Sequence, residues 1–185
     1  TMMKRFEKAK KSYDEPVMIV TQEDAEAAEK NKSNKSKTWK LYAENVRDFG
    51  FATSRKFIWD MMAVKLETKD VMAVSLYPSE ANPLWGDWST KTVASTLISY
   101  SKMTFDYPYH KAISANAPMG MEYPMICYNF GRPNKDGIVS DRTKYGMMGV
   151  IIHEVGHNYF PMIVNSDERQ WTWMDEGLNT FVQYV

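Results

Sequence analysis

The sequence predicts an α+β fold, with strands first and helices last. Three observations predict it. KFIWDMMAVKL at 56–66 and DVMAVSLYP at 70–78 are rich in apolar and β-branched residues and are closed by Pro78, which is how strands read. Val93, Leu97 and Tyr100 recur three and four apart, the period of a helix. Finally, GMMGVII at 146–152 is apolar and runs on into a segment long enough for a buried helix.

In chain order, residues 1–15 are polar and basic, and PVMIV at 16–20 reads as a short strand. Thr21 and Asp24 form a capping-box start for a helix over QEDAEAAEK. NKSNKSK at 31–37 is a solvated polar loop, too short and too poor in aromatics to be an anion-binding patch. TWKLYAENVRDFGFATS at 38–54 is rich in aromatic and β-branched residues and is expected to be β. SEANPLWGDWS at 79–89 reads as a loop, and TKTVASTLISYSKMTF at 90–105 as a helix. AISANAPMGMEYPMICYNFG at 112–131 is strand, loop, strand, and RPNKDGIVSDR a polar loop. A helix follows from near Arg142 to Phe160, where Pro161 stops it. A last helix starts at Thr172, capped by its side chain with Asp175 at the third position and anchored by Trp171, Trp173 and Phe181. A domain boundary is expected between residues 50 and 70 and is drawn at 60.

Composition excludes some functions. Hydrophobic residues at 44% and charged residues at 25% mark a globular chain. Lys plus Arg and Asp plus Glu are both 23, so there is no basic footprint for a nucleic-acid partner. Cys127 is the single cysteine, so these residues form no internal disulfide. No run of eighteen apolar residues suggests a transmembrane segment, and the basic start lacks the apolar stretch of a signal peptide. Compartment and oligomeric state are left open.

Two of the three histidines, His153 and His157, fall in HEVGHNYF. Residues i and i+4 of a helix share a face, so both imidazoles meet one point, while Glu154 sits about 100° round the axis. This H-E-x-x-H spacing is the zinc arrangement of metallopeptidases, with the glutamate as base. Chance supplies about 0.003 such matches in a chain with this many His and Glu residues. Two histidines and a glutamate in an apolar helix are also costly to leave unpartnered, and a metal supplies the partner. Gly149 and Gly156 lie near the histidine face, where they leave room for a close neighbour.

A catalytic zinc needs a third protein ligand. The class with a Gly three and a His six residues after the second motif histidine fails, because Phe160 and Ile163 stand there. His110 reads as an ordinary surface or packing residue. Asp167 and Glu168 lie in a polar turn. Glu176, in WMDEGLNTF and eighteen residues beyond His157, can be carried back to the metal by a returning helix.

H-E-x-x-H, eighteen residues, then W-x-x-E-G resembles the gluzincin signature of the M1 family of zinc aminopeptidases. The family motif Gly-Ala-Met-Glu-Asn has a counterpart in MGMEY at 119–123, with Met121 and Glu122 matching. ENVRDFGFA at 44–52 resembles the end of the family's N-terminal β domain. Met119, Gly120 and Tyr123 depart from the pattern and touch the first specificity pocket. The resemblance implies the end of an N-terminal β-rich domain over 1–60. Over 61–185 it implies the first part of a thermolysin-like catalytic domain, a mixed sheet with zinc-binding helices. It also implies one Zn2+ on His153, His157 and Glu176, with Glu154 as general base. Glu122 would bind the free α-amine of a peptide substrate, with Met121 and Gly120 beside it. The family's transition-state tyrosine lies beyond these residues. The alternatives are a gluzincin endopeptidase, which needs no amine-binding carboxylate, and a non-catalytic M1-like binding or scaffold protein.

Overall fold

The computed structural model describes residues 1–31 and 33–185. Its centre is one six-stranded sheet in the order β1-β2-β3-β4-β6-β5. The strands are β1 (Val17–Val20), β2 (Ile58–Lys65), β3 (Asp70–Tyr77), β4 (Lys111–Asn116), β5 (Met121–Tyr123) and β6 (Ile126–Asn129). β1, β2 and β3 are antiparallel, β3, β4 and β6 run parallel, and β5 closes the edge antiparallel to β6. The sheet is therefore mixed and the fold α+β, as the sequence predicts.

Among the described residues five α-helices surround it: α1 (Met2–Ala9), α2 (Gln22–Lys30), α3 (Leu84–Met103), α4 (Asp141–Gly156) and α5 (Thr172–Tyr184). Side chains alternate across a strand, and the burial pattern follows that period. Ile58, Met62 and Val64 of β2 and Val71, Ala73 and Tyr77 of β3 join the main core with Val93, Leu97 and Tyr100 of α3 and Ile151 and Val155 of α4. Met61 and Val74 face the other way, against Ala9, Phe6 and Ile19. α3 thus packs on β2 and β3, α4 lies on α3 and β6, and α5 returns along α4. The strand pair β2–β3 and the capping box of α2 stand where the sequence puts them; Thr21 accepts from the Asp24 N–H and Asp24 from the Thr21 N–H.

Several local expectations are corrected. Residues 38–54 form no strand: Trp39, Leu41 and Tyr42 are exposed, and without a pairing partner β propensity builds nothing. This stretch is instead pinned from its side chains and carbonyls. Arg47 meets Glu168 through two nitrogens, at 2.8 and 3.0 Å, and the Tyr128 hydroxyl donates to the Phe51 carbonyl. α1, which the polar start conceals, is held by Ala9 and Phe6 in the second apolar cluster and by Arg5, which donates to the Ile19 carbonyl at 3.2 Å and pairs with Asp24. α3 begins at Leu84, inside the expected loop, because Leu84 and Trp85 are buried and Pro83 is tolerated at its start. The loop–strand reading after β4 resolves into a β5–β6 hairpin turned by Pro124 and Met125. Thr172 does not cap α5; Trp171 precedes it without a side-chain cap, and the Thr172 hydroxyl donates to the Glu168 carbonyl. Trp171, Trp173 and Phe181 are exposed rather than anchoring, and α5 buries Asp175, Asn179 and Val182 instead. No helix among the described residues is long and apolar enough to cross a membrane.

Candidate metal centre

α4 starts where Ser140 accepts from the Thr143 N–H, and its last turn runs into His157, whose φ of −58° and ψ of −20° keep it helical. His153 and His157 therefore stay one turn apart on one face. Their rings stand at 86° with centroids 4.5 Å apart, and their Nε2 atoms approach to 3.0 Å. α5 brings Glu176 Oε2 to 3.0 Å from His153 Nε2 and 3.6 Å from His157 Nε2. His157 is buried, His153 is partly buried, and Glu176 is half exposed on the open side.

The hydrogen bonds on the far side of each ring decide what this convergence means. His157 Nδ1 lies 2.9 Å from the Phe160 carbonyl, which can only accept. His153 Nδ1 lies 3.0 Å from Gln183 Oε1, and the Gln183 amide is oriented by its Nε2 donating to the Gly149 carbonyl at 3.2 Å. Both Nδ1 atoms therefore carry the proton, and both Nε2 atoms present bare lone pairs. Two lone pairs and a carboxylate oxygen pointed at one another repel unless a cation sits among them. Zinc bound at about 2.0–2.1 Å in tetrahedral geometry spaces its ligand atoms roughly 3.3 Å apart, close to the spacing here. The three residues fit a divalent metal.

More carboxylate surrounds them. Glu122, His157 and Asp175 place a ligand-type atom each within 4.8 Å of one another. Asp175 Oδ1 is 2.9 Å from His157 Nδ1 but off the line of its N–H, which points to Phe160, so this oxygen lies against the ring without a hydrogen bond. Glu154 is buried, its Oε2 has no partner, and its Oε1 lies over Gly120, where an added Cβ would come within 2.3 Å. Burial pushes the Glu154 carboxyl up to about 8, and the neighbouring charges of Glu122 and Glu176 add to it. Such crowding of negative charge is what a bound cation relieves.

His153, His157, Glu176, Glu154, Glu122 and Gly120 thus meet in one place. Met121 does not join them: it is exposed on β5 and, by strand alternation, faces opposite to Glu122. Gly156 leaves the room expected of it, since a Cβ there would lie 2.2 Å from Asn179 Oδ1 and 2.5 Å from the Tyr100 hydroxyl; Gly149 does not, since its Cβ would meet nothing. His110 is an exposed residue away from the cluster. The sequence reading missed three polar residues here and gave a fourth, Asp175, a capping place; it faces His157. Asn158 accepts from the Met125 N–H at 2.8 Å and ties the β5–β6 turn to the end of the histidine segment. Asn179 and Gln183 contact the backbone of α4 at His153 and Gly149. The available signal was the spacing of Glu176, Asn179 and Gln183, three polar residues on one face of α5.

No family model matches the chain, and a search of curated proteins finds no match. Among solved structures, it is similar to a mutant two-domain M1 zinc metallopeptidase bound to L-arginine, with 20% identity, a TM-score of 0.50, and 69% of this chain and 27% of that one covered. It is also similar to the M1 zinc metallopeptidase from Deinococcus radiodurans, with 20% identity, a TM-score of 0.48, and 65% and 26% covered. A mutant of that enzyme bound to a Tyr-Ser-Ala substrate gives 16% identity, a TM-score of 0.48, and 69% and 27% covered. At these identities the likeness is one of fold, and the chain spans about a quarter of the length of the structures it matches.

Proposed function

We propose that the chain carries the metal centre of a zinc peptidase that removes N-terminal residues from peptides. The observation that carries this reading is the convergence of His153 Nε2, His157 Nε2 and Glu176 Oε2, with both imidazoles held in the tautomer that leaves those nitrogens free. Zinc bound there would acidify a water and polarise the scissile carbonyl. Glu154, one residue along from His153 and without a partner for Oε2, takes a proton from the attacking water and returns it to the departing amine. A scaffold protein has no use for that buried, unpartnered carboxylate. Glu122 stands on the edge strand β5, where an extended peptide can add as a further strand. Its carboxylate meets the peptide's terminal ammonium and sets the register, so that the first peptide bond lies at the zinc. The family reading, a domain division near residue 60, and peptide substrates with a free N-terminus belong to this proposal.

The test compares kcat/KM on amino-acid amides with that on the same substrates acetylated, with and without a chelator. Cleavage of free-amine substrates that the chelator stops is the expected result. Equal cleavage of both substrates points to the endopeptidase reading. Zinc binding without cleavage of either points to the scaffold.

A further inference from the structure

His153 is gripped from one face of α5 at three points. Glu176 reaches its Nε2, the Asn179 Nδ2 donates to its carbonyl at 2.8 Å, and Gln183 accepts from its Nδ1 at 3.0 Å. The spacing of three and then four residues puts all three side chains in a single stripe along the helix. Asn179 is fully buried and is itself fixed by the Tyr100 hydroxyl, which donates to its Oδ1 at 3.0 Å. The Gln183 amide is locked end for end by its second bond, to the Gly149 carbonyl. An amide held that way cannot flip to offer N–H to His153, so only one imidazole tautomer satisfies the contact.

We propose that Gln183 is the positioning residue that fixes the tautomer and ring orientation of His153, and that it does so with a neutral acceptor. The inference rests on His153 being a zinc ligand. Partners of a metal-bound imidazole's outer N–H orient the ring and raise its basicity, and losing one typically costs about 10–100-fold in metal affinity. A carboxamide orients as well as a carboxylate but lends the imidazole less negative charge. Gln183 therefore holds the ligand in place while leaving the metal more electron-poor than a carboxylate partner would.

The experiment is zinc affinity by competition with a chromogenic chelator, on the full chain, for wild type, Gln183→Met and Gln183→Glu. Gln183→Met keeps length and flexibility but removes the oxygen. It should bind zinc about 10–100-fold more weakly, with the metal-free protein still unfolding in one cooperative transition. Gln183→Glu restores the acceptor and adds charge, so it should bind at least as tightly as wild type. Cobalt-substituted wild type and Gln183→Glu should give the same four-coordinate visible spectrum. Gln183→Met within threefold of wild type overturns the proposal. Should Gln183→Met not fold, Gln183→Glu decides: tenfold weaker binding overturns the proposal equally. His153→Ala serves as control. If wild type and His153→Ala bind zinc alike, the ligand assignment itself is wrong, a failure distinguishable from that of Gln183.

Discussion

Glu154 owes its chemistry to where its neighbours leave it. Its carboxylate is buried beside Glu122 and over Gly120, with one oxygen unpaired, an arrangement that stores a proton acceptor next to the proposed ligands His153, His157 and Glu176. Glu154→Gln keeps the shape and removes the proton chemistry. It should retain a full equivalent of zinc and lose about 10²–10⁴-fold in kcat; metal analysis beside turnover on amino-acid amides checks this, and a variant within tenfold of wild type would remove Glu154 from the role. If Glu122 binds the substrate amine as proposed, Glu122→Ala should collapse the preference for free-amine over acetylated substrates. An unchanged preference would assign the amine to another residue. The pairing of His153 with His157 was legible in the sequence because helix geometry puts residues i and i+4 on one face. Asp175, Asn179 and Gln183 were not, since a polar residue on a helix carries no mark of what it faces until the partner helix is placed.

Between elements, α4 and α5 approach through Gly156. A methyl group there would lie 2.2 Å from Asn179 Oδ1 and 2.7 Å from Cζ of the Tyr100 ring. In an exposed helix Gly→Ala stabilises by roughly 1 kcal/mol. Here overpacking should reverse the sign and cost about 1–3 kcal/mol, with zinc affinity falling because Glu176 is displaced along with α5. Asn179→Ala alone should also destabilise, by about 1–3 kcal/mol, since it removes the bond to the His153 carbonyl and leaves the Tyr100 hydroxyl only the backbone carbonyl of residue 179 at 3.2 Å. Combined, the two changes relieve one another, so the double variant should be more stable than the sum of the singles predicts. Additivity to within about 0.5 kcal/mol in urea unfolding would show that the contact does not govern the approach. Elements whose apolar pattern meets a partner were readable: β2, β3, α3 and α4. The stretch 38–54 misled because aromatic content signals a strand only where a neighbouring strand exists, and here Arg47, Phe51 and Tyr128 hold the chain without one. α5 misled in the opposite direction, through Trp171, Trp173 and Phe181, which promise burial and are exposed.

Across the whole molecule, a polar seam runs between the sheet and α3. Asp60 accepts from the Tyr77 hydroxyl at 2.6 Å and from Thr90. Thr90 continues to Ser75 at 2.7 Å, and Ser75 to Ser89 at 2.7 Å. Burial pushes the Asp60 carboxyl from 3.8 up to about 6, and the bonds from Thr90 and Tyr77 only partly oppose it. The folded state thus holds this proton more tightly than the unfolded one does. Its contribution to stability is complete below about pH 4 and is lost as pH rises through about 6; above that the folded state bears a cost of about 3 kcal/mol from this one group. Asp60→Asn keeps an acceptor and cannot ionise. The stability of wild type relative to Asp60→Asn should fall by that amount between pH 4 and pH 7, measured by urea unfolding at each pH, and parallel curves would sink the assignment. The two rims of the same sheet have another consequence. Its inner strands β2 and β3 are eight residues long, but its outer ones are short: β1 has four residues and a break in register between Met18 and Val20, and β5 has three and ends before Pro124. Short, interrupted rims offer another chain few backbone groups to template on, which disfavours edge-to-edge pairing, while β5 is the rim that the proposed peptide would extend.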